Sequence, residues 1–112
     1  MKKFVVMYYA PVSAQDQMKN ATPEQAAEGM KPWMDWKEKV GDGMVDMGTP
    51  LGNSRKVTKD GASPSGSNIV GYSVLQANSM DDALEMVKEH PHLQWTNGCE
   101  IEVHESLPLP GM

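Results

Sequence analysis

Three histidines, one cysteine and a handful of acidic and aromatic residues carry whatever reactive chemistry this chain has. Two histidines flank a proline in His90-Pro91-His92. Metal sites usually draw histidine pairs from helix i, i+4 or strand i, i+2 spacings. The proline is expected to send these two side chains apart. The motif therefore reads first as a helix end, where a protonated imidazole meets the favourable end of the dipole. Contact with a ligand is the rival reading, and a metal role is the weakest. The third histidine, His104, alternates with Glu100 and Glu102 along Cys99–His104. Polar alternation commonly marks a solvent-facing side of a strand. Inside a cavity, the same imidazole and carboxylate would be an acid and a base. Cys99 stands alone, which excludes an internal disulfide and a CxxC motif. It reads as a buried strand thiol.

The remaining candidates are wall residues rather than reagents. Trp33 and Trp36 lie three apart on a helical stretch and read as core or interface packing, with an aromatic cavity wall as the rival. Trp95 follows the histidine loop and could close the same cavity. Tyr8 and Asp46 fall near the ends of elements and are expected beside it. The ten methionines suit an adaptable, irregular core or pocket. The chain has no P-loop, G-x-G-x-x-G, G-x-S-x-G or HExxH. No cofactor, no metal and no assignable catalytic residue is expected.

Length and charge narrow the function classes. A chain of 112 residues predicts one domain, spanning 1–112, with a sizeable core. A net charge of −5 argues against a nucleic-acid footprint, which needs a basic stripe. No apolar run approaches the roughly 20 residues of a membrane span. Lys2-Lys3 followed by FVVMYYA faintly imitates a signal peptide, but the apolar part is short and carries two tyrosines. A cytoplasmic protein is expected.

Several elements must position these residues. Lys3 to Ala10 reads as a strand apolar on both faces, so both faces should be covered. Pro11 to Ala21 reads as a polar loop. Thr22-Pro23-Glu24-Gln25 is a helix start with a capping box and proline at the first helical position. An apolar stripe at three- and four-residue spacing then runs from Ala26 through Met30, Trp33, Lys37 and Val40 to Met44 and Met47. Pro32 should kink or break that helix, and Gly41 and Gly43 weaken its last turns. Asn53 to Asp60 reads as a weak basic strand, and Gly61 to Ser67 as a flexible connection.

Ile69 to Leu75 reads as a buried strand. A second helix is capped by Ser79, carries Asp81 and Asp82 in its first turn, and buries Met80, Ala83, Leu84 and Val87. Pro91 stops it. Asn97-Gly98 turns the chain into the last strand, and Leu107 to Met112 is an extended tail.

The order strand, helix, strand, strand, helix, strand predicts an α+β ferredoxin-like βαββαβ fold, a four-stranded antiparallel sheet with both helices on one face. The expected sheet order is 4-1-3-2, with the Asn53–Asp60 strand at an edge. The other face of the first strand then needs a cover. A second copy of the chain, sheet against sheet, is the economical one.

Over nearly its whole length the chain resembles the YciI-like (YCII-related) domain family of the dimeric α+β barrel group. FVVMYYAP resembles the opening strand, and MVDMGTPLG the close of the first helix. GYSVLQANSMDDALEMVKEHP and NGCEIEVHESLPL resemble the third strand, second helix and last strand. The resemblance implies a small cytoplasmic homodimer with a cleft beside each sheet. It also implies a His and an Asp in that cleft. The His would fall in the first helix, where this chain reads Lys31-Pro32-Trp33-Met34, and Asp42 is the nearest acidic residue.

The expected function is binding or transformation of a small organic molecule, in a pocket lined by Tyr8, Trp33, Trp36, Asp46, His90 and His92. The alternative is a noncatalytic binding or accessory dimer.

Overall fold

Two strictly alternating strands make the centre of the sheet. In β1 (Lys2–Tyr9), Phe4, Val6 and Tyr8 are buried while Val5, Met7 and Tyr9 are half-buried. In β5 (Ile69–Ala77), Gly71, Ser73, Leu75 and Ala77 are buried. The strands run antiparallel with Phe4 opposite Leu75, Val6 opposite Ser73 and Tyr8 opposite Gly71, so the buried positions share one face. Each buried Phe, Val or Leu there contributes about 1.5–3 kcal/mol.

The computed structural model describes residues 1–11, 22–95 and 98–111. The loop expected over Pro11–Ala21, beyond Pro11 itself, and Asn97 of the expected turn lie outside the described residues, as does the side chain of Trp95.

Among the described residues the chain is α+β. In order it forms β1, α1 (Pro23–Val40), a 3-10 turn (Gly41–Gly43) and β2 (Met44–Asp46). It continues with β3 (Arg55–Thr58), β4 (Gly61–Pro64), β5, α2 (Met80–Val87), a short α3 (His92–Trp95) and β6 (Glu100–Glu105). Four strands form an antiparallel sheet in the order β2-β5-β1-β6. The last, first and Ile69 strands therefore adjoin as expected.

The fourth place is a correction. Met44–Asp46 occupies the edge beside β5, and Asn53–Asp60 is not in this sheet. Instead Arg55–Thr58 pairs with Gly61–Pro64 in a separate two-stranded hairpin, exposed along its whole length. That basic strand has no apolar face to bury: its one large apolar residue, Val57, is 78% exposed. Met44–Asp46, by contrast, continues directly from the 3-10 turn at Gly41–Gly43, which ends the helix earlier than the apolar stripe suggested.

The helices cover the buried face. α1 carries the predicted capping box, with Thr22 Oγ1 accepting from Gln25 N–H at 3.1 Å and Gln25 Oε1 accepting from Thr22 N–H at 3.0 Å. Of the kink or break expected at Pro32 there is no break: the chain stays helical through it. Trp36 is the sole buried residue of α1, joined on the sheet side by half-buried Trp33 and Val40. In α2, Ser79 caps the helix through Asp82 N–H, and Ala83 and Val87 are buried. Leu84, expected on that face, is 46% exposed, and half-buried Met86 packs on the core in its place. The helix ends at Val87, three residues before His90.

Beyond β2 the chain from Asp46 to Leu51 is laid along β5. Ser73 Oγ donates to the Met47 carbonyl at 2.6 Å, and Leu51 N–H donates to the Val70 carbonyl at 2.9 Å. Gly48 makes this approach possible. Its φ is +78°, and a Cβ there would lie 1.7 Å from the Tyr72 carbonyl oxygen. Gly48→Ala should destabilise the protein by about 2 kcal/mol, from left-handed strain and backbone displacement. A urea-melt midpoint unchanged from wild type would contradict this packing.

The radius of gyration is 15.5 Å, against about 13 Å for a compact chain of this length. No helix among the described residues is long and apolar enough to cross a membrane.

Candidate functional site

The site grows from two chain features. The first is the facing pair Tyr8 and Gly71. A Cβ at Gly71 would sit 3.3 Å from Cδ2 of Tyr8, so glycine leaves room for the phenol ring against β5. The second is the end of α2, where His90 N–H donates to the Val87 carbonyl at 3.1 Å and tucks the residue inward. Pro91 then starts a tight turn in which Leu93 N–H returns to the His90 carbonyl at 3.1 Å.

Five of the six expected pocket residues come together here. The His90 ring centroid lies 4.2 Å from that of Trp36, 4.5 Å from Trp33 and 4.9 Å from Tyr8. His92 stands 5.3 Å from Tyr8 on another side. Both tryptophans meet His90 edge-on, a favoured aromatic geometry. Tyr8, Trp36, His90 and His92 are buried, and Trp33 is half-buried. The motif does stand at a helix end, but both imidazoles are buried, and His90 is neutral rather than the protonated ring the dipole would favour. The two imidazoles do diverge, with centroids 6.5 Å apart and planes at 74°.

Asp46, the sixth residue, is a correction. It lies exposed on edge strand β2, and its Oδ1 accepts from Gly48 N–H at 2.8 Å. Its carboxylate shapes the turn into the Gly48 crossing. Asp42 is exposed as well. It borders a separate cleft with Met1, Gln76, Asp82 and Glu85, and its backbone carbonyl accepts from Gln76 Nε2 at 2.7 Å.

The hydrogen bonds assign proton positions. A carbonyl only accepts, so Ser73 gives its proton to Met47 O, and Tyr8 Oη therefore donates to Ser73 Oγ at 2.7 Å. His92 Nε2 lies 2.8 Å from the Tyr9 carbonyl and is a donor for the same reason. His90 Nδ1 accepts from the His92 N–H at 3.0 Å, which leaves Nε2 as the protonated nitrogen of a neutral ring. That Nε2 is buried without a hydrogen-bond partner among the described residues.

Burial sets the electrostatics. Removal from water, with His92 beside it, lowers the His90 pKa to about 3. Burial raises Tyr8 to about 12, partly offset by its bond to Ser73. Both stay neutral through the physiological range. His90 and Tyr8 are therefore neutral hydrogen-bonding groups among apolar walls rather than an acid and a base. No group of three or more His, Cys, Asp or Glu residues among the described ones could hold a metal ion.

Sequence reasoning missed Ser73 and Gly71. Their signal was available: both are small residues on the buried side of an otherwise apolar strand, opposite Val6 and Tyr8.

His104 and Glu102 lie on the opposite, open face of the sheet. His104 Nε2 is 2.7 Å from Glu102 Oε1, and Tyr9 Oη donates to the same oxygen at 3.2 Å. Both are more than half exposed. Cys99 is half-buried just before β6.

No family model matches the chain, and no curated protein matches it.

Proposed function

We propose that this chain is a small-molecule-binding protein of the YciI-like (YCII-related) type, a cytoplasmic homodimer of ferredoxin-like protomers in a dimeric α+β barrel. Its ligand is held between sheet and helices by Tyr8, Trp33, Trp36, His90 and His92. One observation carries this reading: a fully buried imidazole, His90, keeps an N–H without an acceptor among the described residues, inside aromatic walls. Leaving a buried donor unpaired costs about 1–3 kcal/mol, which a ligand acceptor would recover. The neutral state of His90 and Tyr8 favours binding over acid–base catalysis at this place.

Access runs past α1. That helix reaches the sheet through Trp33, Trp36 and Val40, and so few contacts favour local opening. A thermal-shift screen of small uncharged aromatics should return ligands that raise Tm by several degrees at a hundredfold excess over Kd. Trp33→Ala, at a half-buried position, should abolish those shifts while the variant still folds. Shifts of full size in that variant would place the ligand elsewhere.

The dimer is supported by the open sheet face. There Val5 lies opposite Val74 and Met7 opposite Tyr72, all half-buried rather than buried like the residues of the helix-covered face. A two-fold contact would let one apolar stripe serve both partners. Sedimentation should give a dimer at about 10 µM, a typical working concentration for a specific interface. Val74→Glu should give a monomer under the same conditions. A wild-type monomer would overturn the assembly.

A catalytic reading is favoured by one feature alone, the 2.7 Å His104–Glu102 pair on that open face. It would place acid–base chemistry between the sheets. Loss of turnover in His104→Gln, with ligand binding retained, would be its signature.

A further inference from the structure

We infer that the Tyr8–His90 site takes an uncharged, planar molecule bearing a carbonyl oxygen, which accepts a hydrogen bond from His90 Nε2–H. The inference rests on the binding site proposed above and names the chemistry of its ligand.

The argument is a census of protons. Tyr8 gives its proton to Ser73, and Ser73 gives its own to the Met47 carbonyl. Trp36 Nε1 donates to the Met86 carbonyl at 2.7 Å. His92 Nε2 donates to the Tyr9 carbonyl. His90 Nδ1 is occupied by the His92 N–H, so the ring cannot turn over to accept with that nitrogen without losing a bond. The His90 Nε2–H remains, a donor in a buried place. A ligand atom that satisfies it must be an acceptor.

Charge then selects among acceptors. Among the described residues no Lys, Arg, Asp or Glu is buried; the buried polar residues are Ser73, His90 and His92. A carboxylate would be stripped of water with no buried Lys or Arg among the described residues to pair it, and the penalty is several kcal/mol per ion. An ammonium would meet aromatic faces, but also the positive end of the His90 N–H dipole. A neutral carbonyl escapes both penalties. The neighbours of His90 are the aromatic rings of Tyr8, Trp33 and Trp36, which favour a planar group on that carbonyl.

The test uses the full-length protein and three probes of one size: acetophenone, ethylbenzene and benzoate. Affinities are read by titration of the tryptophan indole resonances, and the His90 Nε2–H proton is followed by nitrogen-15 NMR. Acetophenone should bind about tenfold more tightly than ethylbenzene, the worth of one recovered hydrogen bond. It should also move the His90 Nε2–H resonance downfield, and benzoate should bind most weakly. His90→Phe should bring the acetophenone-to-ethylbenzene ratio close to one.

If ethylbenzene binds wild type as tightly as acetophenone, or benzoate binds best, the ligand class is wrong and the site stands. If no probe moves the Trp33 or Trp36 indole signals, the site falls with it. The wild-type ratio decides the matter even where the variant fails to fold.

Discussion

Acidification from pH 7 to pH 4 should remove about 3 kcal/mol of stability through His90 alone. Its folded pKa is about 3, against 6.5 for an imidazole in water. Below pH 6.5 the unfolded chain takes a proton on this ring that the folded chain refuses until near pH 3. The unfolded state therefore binds more protons throughout that window, and stability rises with pH across it. The contribution is fully present above about pH 6.5 and is lost at about 1.4 kcal/mol per unit as pH falls toward 3. Other groups titrate in the same range, so the diagnostic is a difference. Urea midpoints at pH 4, 5, 6 and 7 should show a slope one proton shallower in His90→Phe than in wild type. Parallel curves would mean that His90 is hydrated or charged in the folded protein.

Trp36→Ala should be the most damaging substitution of the site, costing about 3–5 kcal/mol. Three losses combine. The indole is 5% exposed, its Nε1–H satisfies the Met86 carbonyl, and its ring is the wall nearest His90. It is also the one buried residue by which α1 holds the sheet. Domains of this size have about 5–15 kcal/mol in all, so the variant would be close to its folding limit. Amide exchange across α1 should accelerate more than across β1 or β5. Trp36→Phe keeps a ring but strands the carbonyl, and should cost about 1–3 kcal/mol. A loss below 1 kcal/mol in Trp36→Ala would show that α1 is held by other means.

These effects concentrate where the sequence was most legible. The central strands could be read because their apolar residues alternate on both faces, a pattern that only a buried sheet position explains. Tyr8 followed from its place near the end of β1, the tryptophan pair from its spacing on the first helix, and the histidines from the loop where α2 stops. Asp46 failed because it was assigned by proximity along the chain. Its carboxylate is spent on the Gly48 turn, which secondary-structure pattern does not reveal.

The edge strand was misread for a physical reason. Met44 and Met47 continue the helical spacing of Val40, and Gly41 and Gly43 were read as weakening the helix rather than ending it. Gly41 has φ +61°, outside the helical range, and the chain leaves α1 there. The hairpin turns through Lys59-Asp60, between the paired residues Thr58 and Gly61, a loop without the Asn-Gly or Asp-Gly pair that marks such turns most clearly. Val57 and Thr58 have the right propensity for a strand, but nothing apolar beside them to join the main sheet.

The central claim is that ligands enter between α1 and the sheet at Tyr8 and His90. Chemical-shift mapping of the nitrogen-15-labelled protein during titration with acetophenone tests it most directly. The account predicts the largest changes at the Trp33 and Trp36 indoles, the His90 and His92 rings, and the amides of Tyr8 and Gly71. Changes confined to the open sheet face around Met7 and His104, or to the cleft beside the hairpin at Asn53 and Ser67, would contradict it.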